Sequence, residues 1–308
     1  MNTELSPIQK VLLDTFKAFS AICQEHDIQY FAASGTLLGA IRHKGFIPWD
    51  DDIDVFLLRK DYEKLLSLRE SLKGTNYMVA DYHDTGYPYP FAKFYDCTKT
   101  FWEYKQFPFI MGPFIDLFPL DESDDHNAEH EKLNDDIHAA FWVYRKSISQ
   151  QTWGEIFKDF ISFNGFEGPV KLVKKLFYAP QRGRFYRQVD KLYQKICSVR
   201  GAYYKPYWDV KHIQYPKEWF AKAVTVPFED TEIFVPNGSH EILTYLYKDY
   251  MTPPPTHFRS GHHTAYYMNL ERKVSVDEIL REKHEVLEKK PMSLPVIWDE
   301  IKHWKGFD

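Results

Sequence analysis

The stretch Ile47-Pro48-Trp49-Asp50-Asp51-Asp52-Ile53-Asp54-Val55 places four carboxylates in five consecutive positions. The small-residue sequence Ser34-Gly35-Thr36 lies shortly before it. If residues 52–55 form a strand, Asp52 and Asp54 point to one face while Ile53 and Val55 point to the other. Carboxylates at this spacing repel one another unless a cation lies between them. The stretch therefore predicts a site for a hard divalent metal ion, and with it phosphoryl-transfer chemistry.

The composition is that of a globular protein with one large domain or two small ones. The chain has 308 residues, of which 44% are hydrophobic and 17% aromatic, and its net charge of -5 argues against general affinity for nucleic acid. Three scattered cysteines (Cys23, Cys97 and Cys197) indicate neither a disulfide framework nor a zinc cluster. No signal-peptide pattern begins the chain, and no apolar run reaches the ~20 residues that cross a bilayer. We therefore expect a cytoplasmic protein.

The predicted secondary structure changes character at about residue 121. Up to that point short helices and strands alternate, starting with a helix whose capping box is formed by Ser6 and Gln9. From residue 122 to residue 308 the pattern is mainly helical. We therefore expect an α+β fold, in which residues 1–121 form a catalytic core built on a mixed sheet flanked by helices. Residues 122–308 are expected to form a mainly helical region that completes the site.

Asp116 is the third acid of the predicted site. It interrupts the apolar strand pattern Phe114-Ile115-Asp116-Leu117-Phe118, and a buried carboxylate needs a partner, which a shared metal ion supplies. Two metal ions held by Asp52, Asp54 and Asp116 can stabilise both the attacking and the leaving oxygen at a phosphorus atom. The alternative is a solvated acidic turn, with Asp116 salt-bridged elsewhere. The upstream Ser34-Gly35 turn favours the catalytic interpretation, because its N–H groups suit phosphate oxygens.

A longer string extends these features into a family pattern. Residues 31–65, FAASGTLLGAIRHKGFIPWDDDIDVFLLRKDYEKL, together with FAKFYD at 91–96 and FIDLFPLD at 114–121, resemble the LicD family. That family includes bacterial phosphocholine transferases, is related to the fukutin-type glycan phosphotransferases, and resembles the nucleotidyltransferase superfamily in its site pattern. Residues 236–263 extend the resemblance over most of the chain. The chain departs from the family at Lys248, where a YGDYM-like stretch usually has Gly.

The resemblance implies a nucleotidyltransferase-like core and a set of site residues. Mg²⁺ or Mn²⁺ would be held by the catalytic acids Asp52, Asp54 and Asp116, and the phosphate-side turn would comprise Ser34, Gly35 and Thr36. Arg42 and Lys93 are predicted to bind the substrate's phosphates, because Arg and Lys complement phosphate charge; the alternative for both is a salt bridge to one of the many acids. The roles of four residues that match the family string stay open: Asp50, Asp51, His262 and His263.

By resemblance, the expected reaction moves phosphocholine, or a similar substituted phosphate, from a CDP-linked donor such as CDP-choline. The acceptor would be a sugar hydroxyl of a cell-surface glycan, such as teichoic acid or lipopolysaccharide, or of its lipid-linked precursor. One alternative is a nucleotidyltransferase that moves NMP from NTP to a small molecule. Another is a glycan phosphotransferase that uses CDP-ribitol or CDP-glycerol.

Two further segments leave alternatives open. Residues 168–200 are rich in Lys and Arg interleaved with apolar residues, which is typical either of peripheral contact with the inner face of the cell membrane or of an ordinary surface helix. The aromatic residues between Tyr87 and Phe109 suit either a cation–π cage for choline or core packing.

Overall fold

A computed structural model describes most of the chain. Its described residues are 4–107, 109–124, 127–149, 156–157, 167–209, 212–259 and 265–287. The chain divides into two compact units, Met1–Arg272 and Lys273–Asp308. The strands and all but the last helix named below lie in the first unit.

The strands of the first unit are short and mostly buried. They are β1 (Phe31–Ala32), β2 (Asp54–Leu58), β3 (Tyr77–Ala80), β4 (Ala92–Asp96), β5 (Thr100–Trp102), β6 (Phe114–Ser123), β7 (Tyr203–Lys205), β8 (Tyr215–Pro216), β9 (Ala223–Phe228), β10 (Thr231–Pro236) and β11 (Tyr267–Asn269). The central sheet has the order β1-β2-β6-β4-β3, and β7 joins β6 to β8. Strands β2 and β6 are parallel, whereas the other neighbours in the sheet are antiparallel. Strands β9 and β10 form a hairpin, and β5 pairs with β11.

The first unit also contains helices, and one more helix lies in the second unit. They are α1 (Pro7–Glu25), α2 (Ser34–Arg42), α3 (Arg59–Ser67), α4 (Ala128–Ile148), α5 (Glu167–Val173), α6 (Arg182–Ile196), α7 (Ser239–Tyr247) and, in the second unit, α8 (Val276–Leu287). A π-helical turn (Lys174–Tyr178) and a 3₁₀ turn (Ala179–Gln181) link α5 to α6. None of the helices in the described residues is both long and apolar enough to cross a membrane.

Helix α1 shows how the sequence directs the packing. Its N-terminus has the predicted capping box, in which Ser6 and Gln9 exchange side-chain to backbone hydrogen bonds. Leu12, Phe16 and Phe19 recur at helical spacing and are buried in the core beside the sheet. Burial of side chains of this size stabilises the fold by about 1.5–3 kcal/mol each, so the apolar stripe determines which face of α1 meets the sheet.

The predicted α+β class is confirmed. The predicted strand at 114–118 is longer, because β6 continues to Ser123 and therefore past residue 121. The region beyond residue 121 contains long helices, as predicted, but it also contributes strands β7 to β11. Strand β7 pairs with Asp121–Ser123 of β6, so the C-terminal region adds to the central sheet. The division at residue 121 stays a prediction.

Candidate active site

Three neighbouring strands bring Asp54, Asp116 and Lys93 into one row. Asp54 on β2 lies directly opposite Asp116 on the parallel strand β6, and Lys93 on β4 lies opposite Asp116 from the other side. All three residues are buried. The apolar neighbours of Asp54 and Asp116 form the core of the sheet, so strand pairing alone holds two carboxylates side by side.

The rest of the acidic stretch precedes the strand. Because β2 begins at Asp54, Asp52 lies in a loop and is not part of the extended segment that the alternation of residues 52–55 predicts. In that loop Asp50, Asp51 and Asp52 are half-buried, and each offers a carboxylate oxygen within 4.8 Å of the others. Within the described ranges, no other set of three or more Asp, Glu, His or Cys residues is gathered this closely. Oxygen ligands at this separation suit a hard divalent cation.

The Ser34-Gly35-Thr36 segment forms the first turn of α2 and packs against the acids. Ser34 has a positive φ of 46°, which is rare for a residue with a side chain. A Cβ atom on Gly35 would lie 2.9 Å from an Asp50 carboxylate oxygen, so a larger residue here would displace that carboxylate. The Thr36 hydroxyl accepts a hydrogen bond of 2.8 Å from the Asp54 N–H. Thr36 therefore fixes the start of β2, a role that the sequence does not predict.

Arg42 lies at the other end of α2, beside a second guanidinium. Its Nη1 donates a hydrogen bond of 2.7 Å to the backbone oxygen of Tyr250. Burial lowers the pKa of Arg42, and the nearby positive charge of Arg259 lowers it further. Arg259 in turn lies 5.0 Å from the centre of the Trp49 ring. The positive charges of Arg42 and Arg259 repel each other, and a bound anion would relieve this repulsion.

Tyr247, the last residue of α7, ties the C-terminal region to the acids. Burial raises the pKa of its phenol. The negative charges of three neighbouring acids raise the pKa further: Asp54, Asp50 and Asp52. The positive charge of Arg42 acts in the opposite direction. Tyr247 is therefore a buried phenol close to both the acids and Arg42.

Lys93 lies in an aromatic enclosure. Its Nζ is 2.5 Å from Asp116 Oδ1, and the residue is only 1% exposed. The same Nζ lies 3.4 Å from the centre of the Phe114 ring and 4.2 Å from that of Tyr89. The predicted contact of Lys93 with substrate phosphates stays a prediction, but its ion pair with Asp116 is evident. Among the aromatic residues that the sequence suggests for a choline cage, Tyr89 and Phe91 have the Lys93 ammonium over their rings.

Gln9 of helix α1 holds the acidic loop through hydrogen bonds. The side-chain amide of Gln9 donates hydrogen bonds to the backbone oxygens of Asp50, at 2.9 Å, and Ile47, at 3.3 Å. Its amide oxygen meanwhile accepts from the Ser6 N–H. One buried glutamine therefore caps α1 and fixes the loop on which three of the acids lie.

The sequence as a whole is similar to proteins of one family. Residues 27–170 match the model described as the LicD/FKTN/FKRP nucleotidyltransferase domain. Over 268 residues, 83% of this chain and 94% of the relative, the sequence is 31% identical to the lipopolysaccharide cholinephosphotransferase LicD of Haemophilus influenzae. The chain belongs to the LicD family. An uncharacterized protein of Rickettsia prowazekii is 35% identical over 69 residues, which is 22% of this chain and 26% of that protein.

Membership of the LicD family confirms the predicted class of enzyme, a phosphotransferase. The structure adds four residues to the candidate site that were not predicted from the sequence: Gln9, Trp49, Tyr247 and Arg259. Of these, Tyr247 and Arg259 lie in the C-terminal string that resembles the LicD family, so a signal for them was present. Gln9 gave only a capping signal, because its second role depends on a loop some forty positions away. His262 and His263 lie outside the described residues.

Proposed function

We propose that this LicD-family enzyme transfers phosphocholine from a CDP-linked donor, with CDP-choline the first candidate, to a sugar hydroxyl. The acceptor is a cell-surface glycan or its lipid-linked precursor, and lipopolysaccharide is the first glycan to test. The observation that carries the proposal is the similarity to a lipopolysaccharide cholinephosphotransferase along 94% of that protein. The row of Asp54, Asp116 and Lys93 supplies a site with the chemistry this reaction needs.

Mg²⁺ or Mn²⁺ fits the carboxylates of this site. The clustered oxygens of Asp50, Asp51 and Asp52 and the opposed pair Asp54 and Asp116 form the hard, anionic donor set that such ions prefer. We propose Asp52, Asp54 and Asp116 as the principal ligands, with Asp50 and Asp51 close enough to join them. A bound ion would neutralise charge on the phosphate oxygens during transfer.

The two arginines are our candidates for the phosphates of the donor. Arg42 and Arg259 form a concentrated positive charge beside the acids, and guanidinium groups bind phosphate oxygens in a bidentate manner. The first turn of α2, with Ser34 and Gly35, presents backbone N–H groups from the opposite end of the same helix. A diphosphate held by these groups would have its leaving CMP oxygen stabilised as negative charge develops.

Asp116 and Lys93 are our candidates for activation of the acceptor hydroxyl. The acceptor oxygen attacks the phosphorus that bears choline, the bond from that phosphorus to CMP breaks, and CMP leaves with the electron pair. The hydroxyl proton passes to a carboxylate, for which Asp116 is the candidate because it lies beside Asp54. The Lys93 ammonium fixes the Asp116 carboxylate through their ion pair.

Choline needs an aromatic surface, and Trp49 is the candidate. Lys93 already occupies the enclosure formed with Tyr89 and Phe114. The Trp49 ring lies in the acidic stretch, and the Arg259 guanidinium 5.0 Å from its centre belongs to an exposed side chain, which a ligand cation can displace more easily than the buried Lys93. A quaternary ammonium binds aromatic faces in the same way.

The decisive experiment is to incubate the protein and Mg²⁺ with CDP-choline, CDP-ribitol or CDP-glycerol, with and without acceptor glycan, and to measure CMP release. We expect release from CDP-choline that stops on chelation of the metal and in Asp54→Asn. The matched control is Asp14→Asn, which neutralises an exposed acid of α1 and should leave release unchanged.

Other outcomes select the alternatives. Preferred release of CMP from CDP-ribitol or CDP-glycerol identifies a different transferred group. Pyrophosphate release from NTP in the presence of a small-molecule acceptor identifies a nucleotidyltransferase, because the nucleotide itself is then transferred. Parallel assays with lipopolysaccharide and teichoic acid distinguish the glycans, and fractionation of cells tests the proposed cytoplasmic location. No turnover with any donor contradicts the proposal.

A further inference from the structure

The helical segment 167–196 carries an apolar patch that is exposed to solvent. Four side chains form this patch: Val170 is 49% exposed, Val173 52%, Leu176 59% and Phe177 57%. Their spacing places them on neighbouring turns of the segment, which contains the π-helical turn Lys174–Tyr178. Large apolar residues that are exposed together indicate a binding surface more often than isolated ones do.

A groove with a positive edge adjoins the patch. It has a volume of about 680 Å³, lies between α4 and α6, and has Ala140, Val143, Phe185 and Leu192 among its apolar lining residues. The cations of α6 that line it follow one face of the helix at spacings of three, four and four residues, and we call them the cationic stripe: Arg184, Arg187, Lys191 and Lys195.

The charge of the cationic stripe is not balanced locally. All four side chains are exposed, and within the described part of the chain no acidic side chain forms a salt bridge with them. Asp136 of α4 is the acid that lines the groove, so the groove keeps an excess of positive charge. Such an excess attracts an anionic surface or ligand.

The apolar patch and the groove are joined through aromatic rings. The Phe177 and Tyr178 ring centres are 5.3 Å apart, and those of Tyr178 and Phe185 are 6.0 Å apart. Phe185 is itself one of the lining residues of the groove. These ring contacts therefore connect the apolar patch to the groove that carries the cationic stripe.

We propose that this surface binds the anionic face of a lipid bilayer. Val170, Val173, Leu176 and Phe177 insert among the acyl chains, while the cationic stripe contacts the phosphate headgroups. A bilayer offers both partners side by side, acyl chains and a dense layer of negative charge, and this combination distinguishes it from nucleic acid or an acidic protein. The inference does not rest on the proposed function, since vesicle binding requires neither donor nor acceptor.

Co-sedimentation with vesicles tests the surface. We expect the full chain to bind phosphatidylcholine vesicles that contain about one third phosphatidylglycerol, and to bind pure phosphatidylcholine vesicles much less. Binding to the anionic vesicles should fall when salt is raised from about 0.1 M to about 0.5 M, because the phosphate contacts are screened. Equal binding to both kinds of vesicle, or none to either, overturns the proposal.

Two variants test the two halves of the surface. Arg187→Gln/Lys191→Gln should weaken binding roughly 30-fold, since each cation near an anionic surface contributes about a factor of five. Its matched control is Lys60→Gln/Lys222→Gln, which removes the same charge from exposed positions elsewhere. Leu176→Ser/Phe177→Ser should weaken binding at least about tenfold, with Val224→Ser/Met268→Ser as the control on two other exposed apolar residues.

These variants also exclude other polyanions. If the control variants lose as much affinity as the test variants, the binding is non-specific and the proposal fails. If soluble heparin binds as tightly as anionic vesicles and Leu176→Ser/Phe177→Ser retains full vesicle affinity, the surface recognises charge alone and the proposal fails as well. All four double variants replace exposed residues, so unchanged thermal midpoints should accompany every result.

Discussion

Strand β6 carries two buried aspartates, five positions apart, that meet different environments. Asp121 receives two hydrogen bonds from the guanidinium of Arg59, from Nε at 2.7 Å and from Nη2 at 2.6 Å. Asp116 is paired with Lys93 and lies opposite a second carboxylate, Asp54. We call the surroundings of Asp121 the structural end of the strand and those of Asp116 the active end.

The difference lies in how charge is compensated. At the structural end one planar guanidinium matches one carboxylate in bidentate geometry, and Glu63 lies beyond it on the same arginine. At the active end Asp116 shares its surroundings with Asp54 and, through Tyr247, with Asp50 and Asp52. Carboxylates gathered in this way oppose folding unless a cation joins them. Lys93 offsets part of this negative charge, and the remaining carboxylates attract a further cation to the active end.

The largest expected effect is at the active end. Asp116→Asn and Asp54→Asn should each lower the rate of transfer by about 1,000-fold, because each removes a charge that orients the cation and the acceptor. Asp54→Asn should leave the free energy of unfolding unchanged or raise it slightly in the absence of metal, since its repulsion with Asp116 is relieved. Asp116→Asn should lower it by about 3 kcal/mol, because the buried Lys93 ammonium loses its partner. Initial rates of CMP release and urea unfolding measure the two quantities. A rate within tenfold of the unsubstituted protein would remove Asp116 from the site.

A substitution at the structural end should lower the free energy of unfolding and leave the rate of transfer nearly unchanged. Asp121→Asn leaves the Arg59 guanidinium without its bidentate partner and should lower the free energy of unfolding by about 3 kcal/mol. The rate of transfer, measured at a temperature where the variant is folded, should stay within about twofold of the original. The double variant Arg59→Met/Asp121→Leu should recover part of the lost stability, because no unpaired charge remains. A large loss of rate without loss of stability would contradict the contrast between the two ends.

Sequence patterns indicate which residues form the active end, but they do not show what distinguishes Asp116 from Asp121. The α+β class, the capping box of α1 and the closeness of Asp116 to the acidic stretch follow from local spacing and family resemblance. However, FIDLFPLD contains both Asp116 and Asp121, and nothing in that string separates a site acid from a structural one. Their partners, Lys93 and Arg59, come from strands and helices whose register is set by the whole sheet.

The other unpredicted site residues depend on contacts between segments that are far apart in the sequence. Gln9, Tyr247 and Arg259 approach the acidic loop only after α1, α7 and the segment beyond α7 have packed. Periodicity reports which face of an element is buried, but not which distant loop that face will meet. The strands β7 to β11 were also not predicted. Strands β7, β8 and β11 have only two or three residues, and β7 and β11 pair with strands far away in sequence. Strands β9 and β10 form a local hairpin with six residues in each strand, which our sequence analysis missed.

A smaller effect should separate loop support from helix capping. Gln9→Leu keeps the size of the side chain and removes its hydrogen bonds to the acidic loop, so we expect about a tenfold lower rate of transfer. Ser6→Ala is the matched control, because it removes the α1 cap and lowers stability by about 1 kcal/mol without touching the loop. Equal rates in the two variants would show that Gln9 acts only through helix stability and that the active end needs no support from α1.

The smallest effect concerns Lys248, which follows α7 and its site residue Tyr247. Lys248 has φ 61° and ψ -108°, a conformation that glycine adopts readily and other residues adopt only under strain. Lys248→Gly should therefore raise the free energy of unfolding by about 1 kcal/mol, a shift of roughly 3 °C in thermal midpoint. Lys248→Ala is the control and should not stabilise the protein, because alanine retains the Cβ atom that causes the strain. If alanine and glycine stabilise equally, the loss of the lysine charge is responsible, and strain beside the active end is not.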